Sequence, residues 1–422
     1  MLTAIVGINW GDEGKGRMVD LLSSGYDIVC RYQGGNNAGH TVVNEKGKFV
    51  LNLLPCGILR DTTVNVMGNG MVIDIQHLVG EIRTLTDRGI RVSPDNLKIS
   101  DKAIICLPYH KLQDIMEEER LADRKYGSTR RGIAPVYSDK YMKKGLRMDD
   151  LLHKDTLAEK VRDLVEWKNL TVTAYGHEPI DANEILDWLE TYGSVVRPFI
   201  TDVTHYLNAA VEAGRSVMLE AQLGTLRDID FGIYPYTTSS QTVAAYAPIG
   251  AGIPGKKLDQ SIGIMKAYST CVGEGPFTAE MFGEEAEALR KAGDEYGAAT
   301  GRPRRVGGFD VVASRYGCKM QGADSLALTK LDVLSYCKEI PVCEAYSIDG
   351  LRVEEFPWGD ALSRAKPIYT TLPGFEADIS KVRRASDLPY NARAYIEYLQ
   401  RAVDTPISIV SVGAERDAYI EL

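Results

Sequence analysis

The start of the chain restricts the fold more than any other part. An apolar, β-rich run, TAIVGI (3–8), leads into GINWGDEGKGRMVDLL (7–22), which packs four glycines around Lys15 and then turns helical. A strand that enters a glycine-rich loop and leaves it as a helix is an α/β opening unit. The N–H groups at the helix start favour an anion. The loop departs from the Walker pattern G-x-x-x-x-G-K-[ST]: Asn9 stands at the first glycine, and Gly16 where the magnesium-binding hydroxyl belongs. It keeps small residues and a lysine and adds Asp12 and Glu13. Asp12 offers a carboxylate base that a Walker loop lacks.

The same style recurs downstream. DIVCRY (27–32) and TVNVMGNG (63–70) are strand-like, and stretches 18–23 and 75–88 are amphipathic and helical. Further strand-like runs lie at 216–221, 261–268, 325–334, 339–346 and 406–413. Apolar strands alternating with helices predict a large, mostly parallel α/β sheet with flanking helices. Residues 101–210 are rich in charge and poor in strand candidates. They read as a mostly helical insertion within a single domain spanning 1–422. Open α/β sheets bind ligands at the carboxyl ends of their strands, which directs attention to the polar loops there.

RYQGGNNAGHTV (31–42) places His40, one of six histidines, in such a loop. Asn and Gly are ordinary turn residues; the functional alternative is a histidine that donates to a transferring phosphoryl oxygen. LTKLDVL (328–334) sets Lys330 and Asp332 among apolar residues. A Lys–Asp pair at a strand end is usually a surface ion pair. The alternative is guanine recognition, because a fixed carboxylate accepts from both N1–H and the exocyclic amine, while a lysine stem lies along the base. GAATGRPRR (297–305) is either a solvated basic face or a loop that clamps carboxylate or phosphate through arginine forks. The hydroxyl-rich loops at 127–140, 220–240 and 266–277 can cradle a nucleotide monophosphate.

Composition narrows the partners. With 44% hydrophobic residues in 422, a large core is available, and a formal charge of −9 disfavours nucleic-acid and membrane-surface binding. The seven cysteines include no C-x-x-C pair and read as reduced thiols of a cytoplasmic protein. No leader or long apolar run is visible.

Taken in order, WGDEGKG, QGGNNAGHT, YPYTTSS, TGRPRR, LTKLDVLS and SVGAERD resemble the adenylosuccinate synthetase family along nearly the whole chain. WGDEGKG and NAGHT are specific to that family, whereas TKLD is shared with unrelated GTPases. The resemblance implies a homodimeric ligase that joins L-aspartate to C6 of inosine monophosphate, with GTP cleaved to GDP and phosphate and with Mg2+ as cofactor. It implies that Asp12 removes the purine N1 proton so that O6 attacks the γ-phosphorus, while His40 stabilises the transferring phosphoryl group and Lys15 holds phosphate oxygens. GTP contacts would fall on Gly14, Lys15, Gly16, Gly39, His40, Thr41, Arg304, Lys330, Asp332 and Gly413. The acceptor nucleotide would meet Asn37, Thr129, Gln222, Thr238 and Arg302, with Lys143 reaching across the dimer. Aspartate would meet Ala299, Thr300 and Arg302, and magnesium would be held by Asp12 and the Gly39 carbonyl.

Five departures from the family pattern stand out. Asn9 and Arg17 replace the glutamine and lysine flanking WGDEGKG, GAQG is scrambled to Ala221-Gln222-Leu223-Gly224, and Lys143 and Cys271 stand for arginines. They cluster around the acceptor nucleotide. A second reading is therefore a paralogue that ligates aspartate to another purine nucleotide, such as guanylate or its deoxy form; retention of Asp12 favours inosinate. A third, a GTP-dependent regulatory protein, leaves Asp12 and His40 without a task.

Overall fold

In the computed structural model, which describes residues 1–44, 46–296 and 303–422, ten strands build one sheet. In chain order they are β1 (Leu2–Gly7), β2 (Ile28–Arg31), β3 (Val64–Met67), β4 (Leu97–Ser100), β5 (Ile200–Thr201), β6 (Val217–Glu220), β7 (Gln260–Lys266), β8 (Ser325–Thr329), β9 (Ile407–Ser411) and β10 (Tyr419–Glu421). Their spatial order is β10-β9-β8-β7-β1-β6-β2-β3-β4-β5. Every neighbouring pair is parallel except β9 with β10.

β1 is buried along its full length, and its alternating side chains enter different cores. Ile5 packs with Met18 and Val19 of the helix Lys15–Leu22. Ala4 and Val6 pack instead with Val203 and Leu207 of the helix Val203–Glu212. A strand covered on both faces must be apolar throughout, which is why TAIVGI shows no alternation.

Residues 101–210 carry the helices Pro108–Leu121, Ile133–Tyr141, Lys154–Ala174, Ala182–Val196 and Val203–Glu212. The buried Lys168 ammonium ties three of them together, 2.7 Å from Asp139 Oδ2 and 2.8 Å from Gln113 Oε1. His110 Nε2 meets the same Asp139 carboxylate at 3.0 Å.

Two strand expectations need correction. The run at 339–346 does not join the parallel sheet. It forms Glu339–Ile348 in a second sheet, paired antiparallel with Leu351–Val353 and Lys366–Pro373. The cause is local: Asp349 and Gly350, at φ +52° and +85°, make the left-handed Asp-Gly turn of a tight hairpin. The run at 325–334 ends as a strand at Thr329. Lys330 takes φ +59°, and Leu331–Tyr336 is a 3-10 turn.

Because β1, β2, β6, β7, β8 and β9 run parallel and adjacent, the loops that follow them gather at one edge. These are the loops singled out from the sequence.

Candidate active site at the carboxyl edge of the sheet

The loop after β1 turns through Gly11 at φ +113° and Gly14 at φ +91°, backbone that glycine adopts without strain. Glu13 braces it from within. Its Oε1 accepts from the N–H of Asn9 at 3.0 Å and of Gly11 at 2.8 Å. Its Oε2 accepts from Lys15 Nζ at 2.7 Å, and Lys15 also donates to the Gly11 carbonyl at 3.0 Å. The lysine is therefore buried, with its charge paired to Glu13.

Asp12 points away from Glu13 into a second network. Its Oδ2 accepts from Thr270 Oγ1 at 2.5 Å and lies 3.3 Å from Lys266 Nζ and 4.0 Å from Arg304 Nη1. Burial opposes its charge and Glu295 adds repulsion, but Lys266, Arg304 and the Thr270 hydroxyl outweigh both. The carboxyl titrates below its ordinary 3.8 and is ionised at neutral pH.

His40 opens a hairpin, His40–Asn44 against Gly47–Leu51, that folds back over the helix Lys15–Leu22. Its Nδ1 lies 2.5 Å from Glu220 Oε1. Glu220 is fixed in turn by the Cys56 N–H at 2.8 Å and the Cys56 thiol at 3.2 Å. His40 Nε2 is buried with no hydrogen-bond partner among the described residues. Burial, with Arg31 and Lys15, holds the imidazole below its ordinary 6.5 against the pull of Glu220. The Glu220 carboxyl is held low by His40 and Arg31 despite its burial.

On the far side, Thr329 Oγ1 donates to the Glu13 carbonyl at 2.6 Å, joining the end of β8 to the glycine-rich loop after β1. Lys330 Nζ reaches Gly293 O at 2.6 Å and Glu295 Oε1 at 2.9 Å, leaving its stem stretched and half-buried. Burial raises the Asp332 carboxyl, with Lys330 and Arg17 in opposition. Arg17 bonds Ser411 Oγ and the carbonyls of Glu415 and Ala418, bringing the Gly413 loop into the same corner. Thr41 and Gly39 sit at the hairpin mouth beside Val50, where a Cβ on Gly39 would lie 3.0 Å from Val50 Cγ1.

The acceptor residues are less gathered. Thr238 is buried with its hydroxyl unpartnered among the described residues. Asn37 Oδ1 accepts from Gly35 N at 3.3 Å. The Gln222 amide is not free for a purine in this state: it accepts from Gly35 N at 3.2 Å and donates to Gly35 O at 2.9 Å. The adjacent Leu223 takes φ +63°. Thr129 and Lys143 are exposed on the helical segment. Ala299, Thr300 and Arg302 lie outside the described residues.

Five side chains in the site had no assigned role from the sequence: Lys266, Thr270, Glu220, Glu295 and Arg227. All but Glu295 fall in stretches already singled out as polar, 220–240 and 266–277, whereas Glu295 is a lone acid with no local pattern. Arg227 fills an unexpected place. Its guanidinium meets Cys271 Sγ at 3.1 Å and Glu274 O at 3.2 Å and bonds the carbonyls of Tyr236 and Val272. Cys271 departs from the family arginine, and a guanidinium from another loop lies against it.

This arrangement is the one expected of a nucleotide-dependent enzyme that works on phosphate at the carboxyl edge of a parallel sheet. Residues 4–420 match the family model described as adenylosuccinate synthetase. The chain is 46% identical over 420 residues to the adenylosuccinate synthetase of Carboxydothermus hydrogenoformans, covering 99% of this chain and 98% of that one. It is 44% identical over 418 residues to that of Halothermothrix orenii, covering 99% and 97%. The fully ligated adenylosuccinate synthetase of Plasmodium falciparum superposes with a TM-score of 0.94 at 36% identity, covering 100% of this chain and 99% of that one. The cyanophage S-2L succinoaminodeoxyadenylate synthetase shares the fold at a TM-score of 0.63 and 19% identity, covering 100% and 95%. The chain belongs to the adenylosuccinate synthetase family.

Proposed function

We propose that this protein ligates L-aspartate to C6 of inosine monophosphate, forming a C–N bond while GTP is cleaved to GDP and phosphate. The observation that carries the mechanism is the convergence on Asp12: an ionised carboxylate tied through Thr270, Lys266 and Glu295 to Lys330, the guanine-side lysine. Asp12 takes the N1 proton of the purine, and the O6 oxyanion attacks the γ-phosphorus. Lys15 leaves Glu13 for phosphate oxygens, and His40 Nε2 faces the phosphoryl group in transfer, where a donor is worth most in a water-poor site. The amine of aspartate then displaces phosphate from C6. Asp332 accepts from the guanine N1–H and amine. Thr300 and Arg302 hold aspartate.

Asp12 and the Gly39 carbonyl are hard oxygen donors, a set suited to Mg2+. Bound there, the ion supplies neutralisation of phosphate charge. The exposed Tyr141 and Met142 beside Lys143 suit a partner subunit to which Lys143 lends its charge. Among the described residues no helix is long and apolar enough to cross a membrane, in keeping with a cytoplasmic biosynthetic enzyme.

The test follows phosphate release and adenylosuccinate formation with GTP, inosinate, aspartate and Mg2+ omitted in turn. Product is expected only with all four. GTP hydrolysis indifferent to aspartate would replace this reading with a regulatory GTP-binding protein, and turnover on guanylate in place of inosinate would favour the paralogue.

A further inference from the structure

We propose that Glu295 is a positioning residue that couples guanine recognition to the setting of Asp12. The inference rests on the ligase reading above, which names Glu295 only as a link between Lys266 and Lys330, and gives that link a task. Glu295 is fully buried. Its Oε1 receives Lys266 Nζ at 2.9 Å, Lys330 Nζ at 2.9 Å and the Tyr268 hydroxyl at 2.5 Å, and its Oε2 receives Arg304 Nη1 at 2.6 Å. Its main chain is held as well, by the Arg290 carbonyl and the Arg304 N–H, both at 2.9 Å.

Two arms meet on one oxygen. The first is Lys330, whose stem is the surface offered to the guanine plane and whose ammonium pairs with no other carboxylate among the described residues. The second runs from Lys266 through Thr270, which it meets at 2.6 Å, to Asp12 Oδ2 at 2.5 Å. Donors that share one acceptor polarise and displace one another, more strongly where the surroundings are dry. A base that seats well fixes Lys330 and leaves Oε1 with one arrangement to offer Lys266. A base that seats poorly shifts Lys330, and the shift reaches the residue that takes the N1 proton. Selectivity for guanine is then expressed in turnover as well as in binding, the pattern in which correct substrate assembles the catalytic site.

The experiment is a double-mutant cycle on kcat at saturating GTP, inosinate and aspartate, using Lys330→Met and Thr270→Val. Residues that share a network give non-additive effects, and independent ones multiply. The double variant is expected to depart from the product of the single effects by about fivefold or more, the lower end of ordinary site-to-site coupling. In a Glu295→Gln background the same two effects should multiply to within about twofold. Independent multiplication in the unaltered chain overturns the proposal, and that arm needs no Glu295 variant to fold. A Glu295→Gln protein whose only change is a lower melting temperature, with kcat and the cycle intact, also overturns it. Failure of the unaltered chain to form adenylosuccinate would instead overturn the ligase reading itself.

Discussion

A Cβ on Gly16 would lie 2.6 Å from the Cβ of His40 and 3.2 Å from Cys56 Sγ. The residue after Lys15 is glycine because the His40 hairpin fills the space a Walker hydroxyl needs. The departure from the Walker pattern and the packing of His40 against the loop are one fact. Gly16→Ser should therefore disable the enzyme by pushing His40 out of line. A displacement of about 1 Å near the chemistry costs ~10²-fold, so kcat/KM for GTP should fall by at least that while the chain stays folded. Near-normal kinetics in this variant would show that the hairpin can retreat.

Asp12→Asn keeps the shape and removes the proposed base. General-base loss costs ~10²–10⁴-fold in rate, and the weakened metal site should add to it. Turnover close to that of the unaltered enzyme would refute both roles.

Asp332→Asn should turn the base site toward xanthine, because an amide donates to the 2-oxo group that a carboxylate repels. Each buried group left unpaired costs about 1–3 kcal/mol. Competition between GTP and XTP measures the switch, and an unchanged preference for GTP would clear Asp332 of reading the base.

His40 provides a pH signature. Held below 6.5 chiefly by burial, it is neutral at neutral pH, with Nδ1–H toward Glu220 and a bare Nε2. Bound phosphate adds negative charge at Nε2 and favours imidazolium, so nucleotide binding takes up a proton and affinity rises as pH falls toward the free imidazole's own titration, which lies below 6.5. Without nucleotide the sign is opposite for stability. The unfolded chain protonates first, so this histidine's effect is absent above 6.5 and destabilises the fold as pH drops through that value. Calorimetry in buffers of different ionisation enthalpy reads the uptake directly, and equal uptake by a His40→Asn variant would assign the proton elsewhere.

Arg227→Leu should loosen the loops at 225–242 and 271–275 together, since one buried guanidinium bonds both. Hydrogen bonds to charged groups contribute about 1.5–3 kcal/mol each, so a clear fall in melting temperature and a raised KM for inosinate are expected. Adding Cys271→Arg to that variant should recover part of both, by returning a guanidinium from the opposite loop. No recovery would mean that the contact with Cys271 is incidental.

The parallel core was legible because strands covered on both faces advertise themselves as unbroken apolar runs. β4 and β5 were not: LKIS mixes polar and apolar residues, and Ile200–Thr201 is too short to carry a pattern. Asp12, Lys15, His40 and Lys330 could be singled out as candidates, and are found beyond the ends of strands of the one sheet, because each sits in a short motif whose chemistry is local. Glu295 could not, since its meaning comes from Lys266 and Lys330, which approach it from the ends of two neighbouring strands. The same holds for Arg227 and Cys271, separated by 44 positions.

A wide sheet has two outer ladders, and each is a template on which a stray extended chain can add. Here the outermost strands are the two-residue β5 and the three-residue β10, the latter laid antiparallel. Neither gives an intruding strand enough consecutive donors and acceptors to hold. The architecture that spreads six loops along one edge thus also blunts its own margins, and copies of the protein at high concentration should resist zipping together into fibrils.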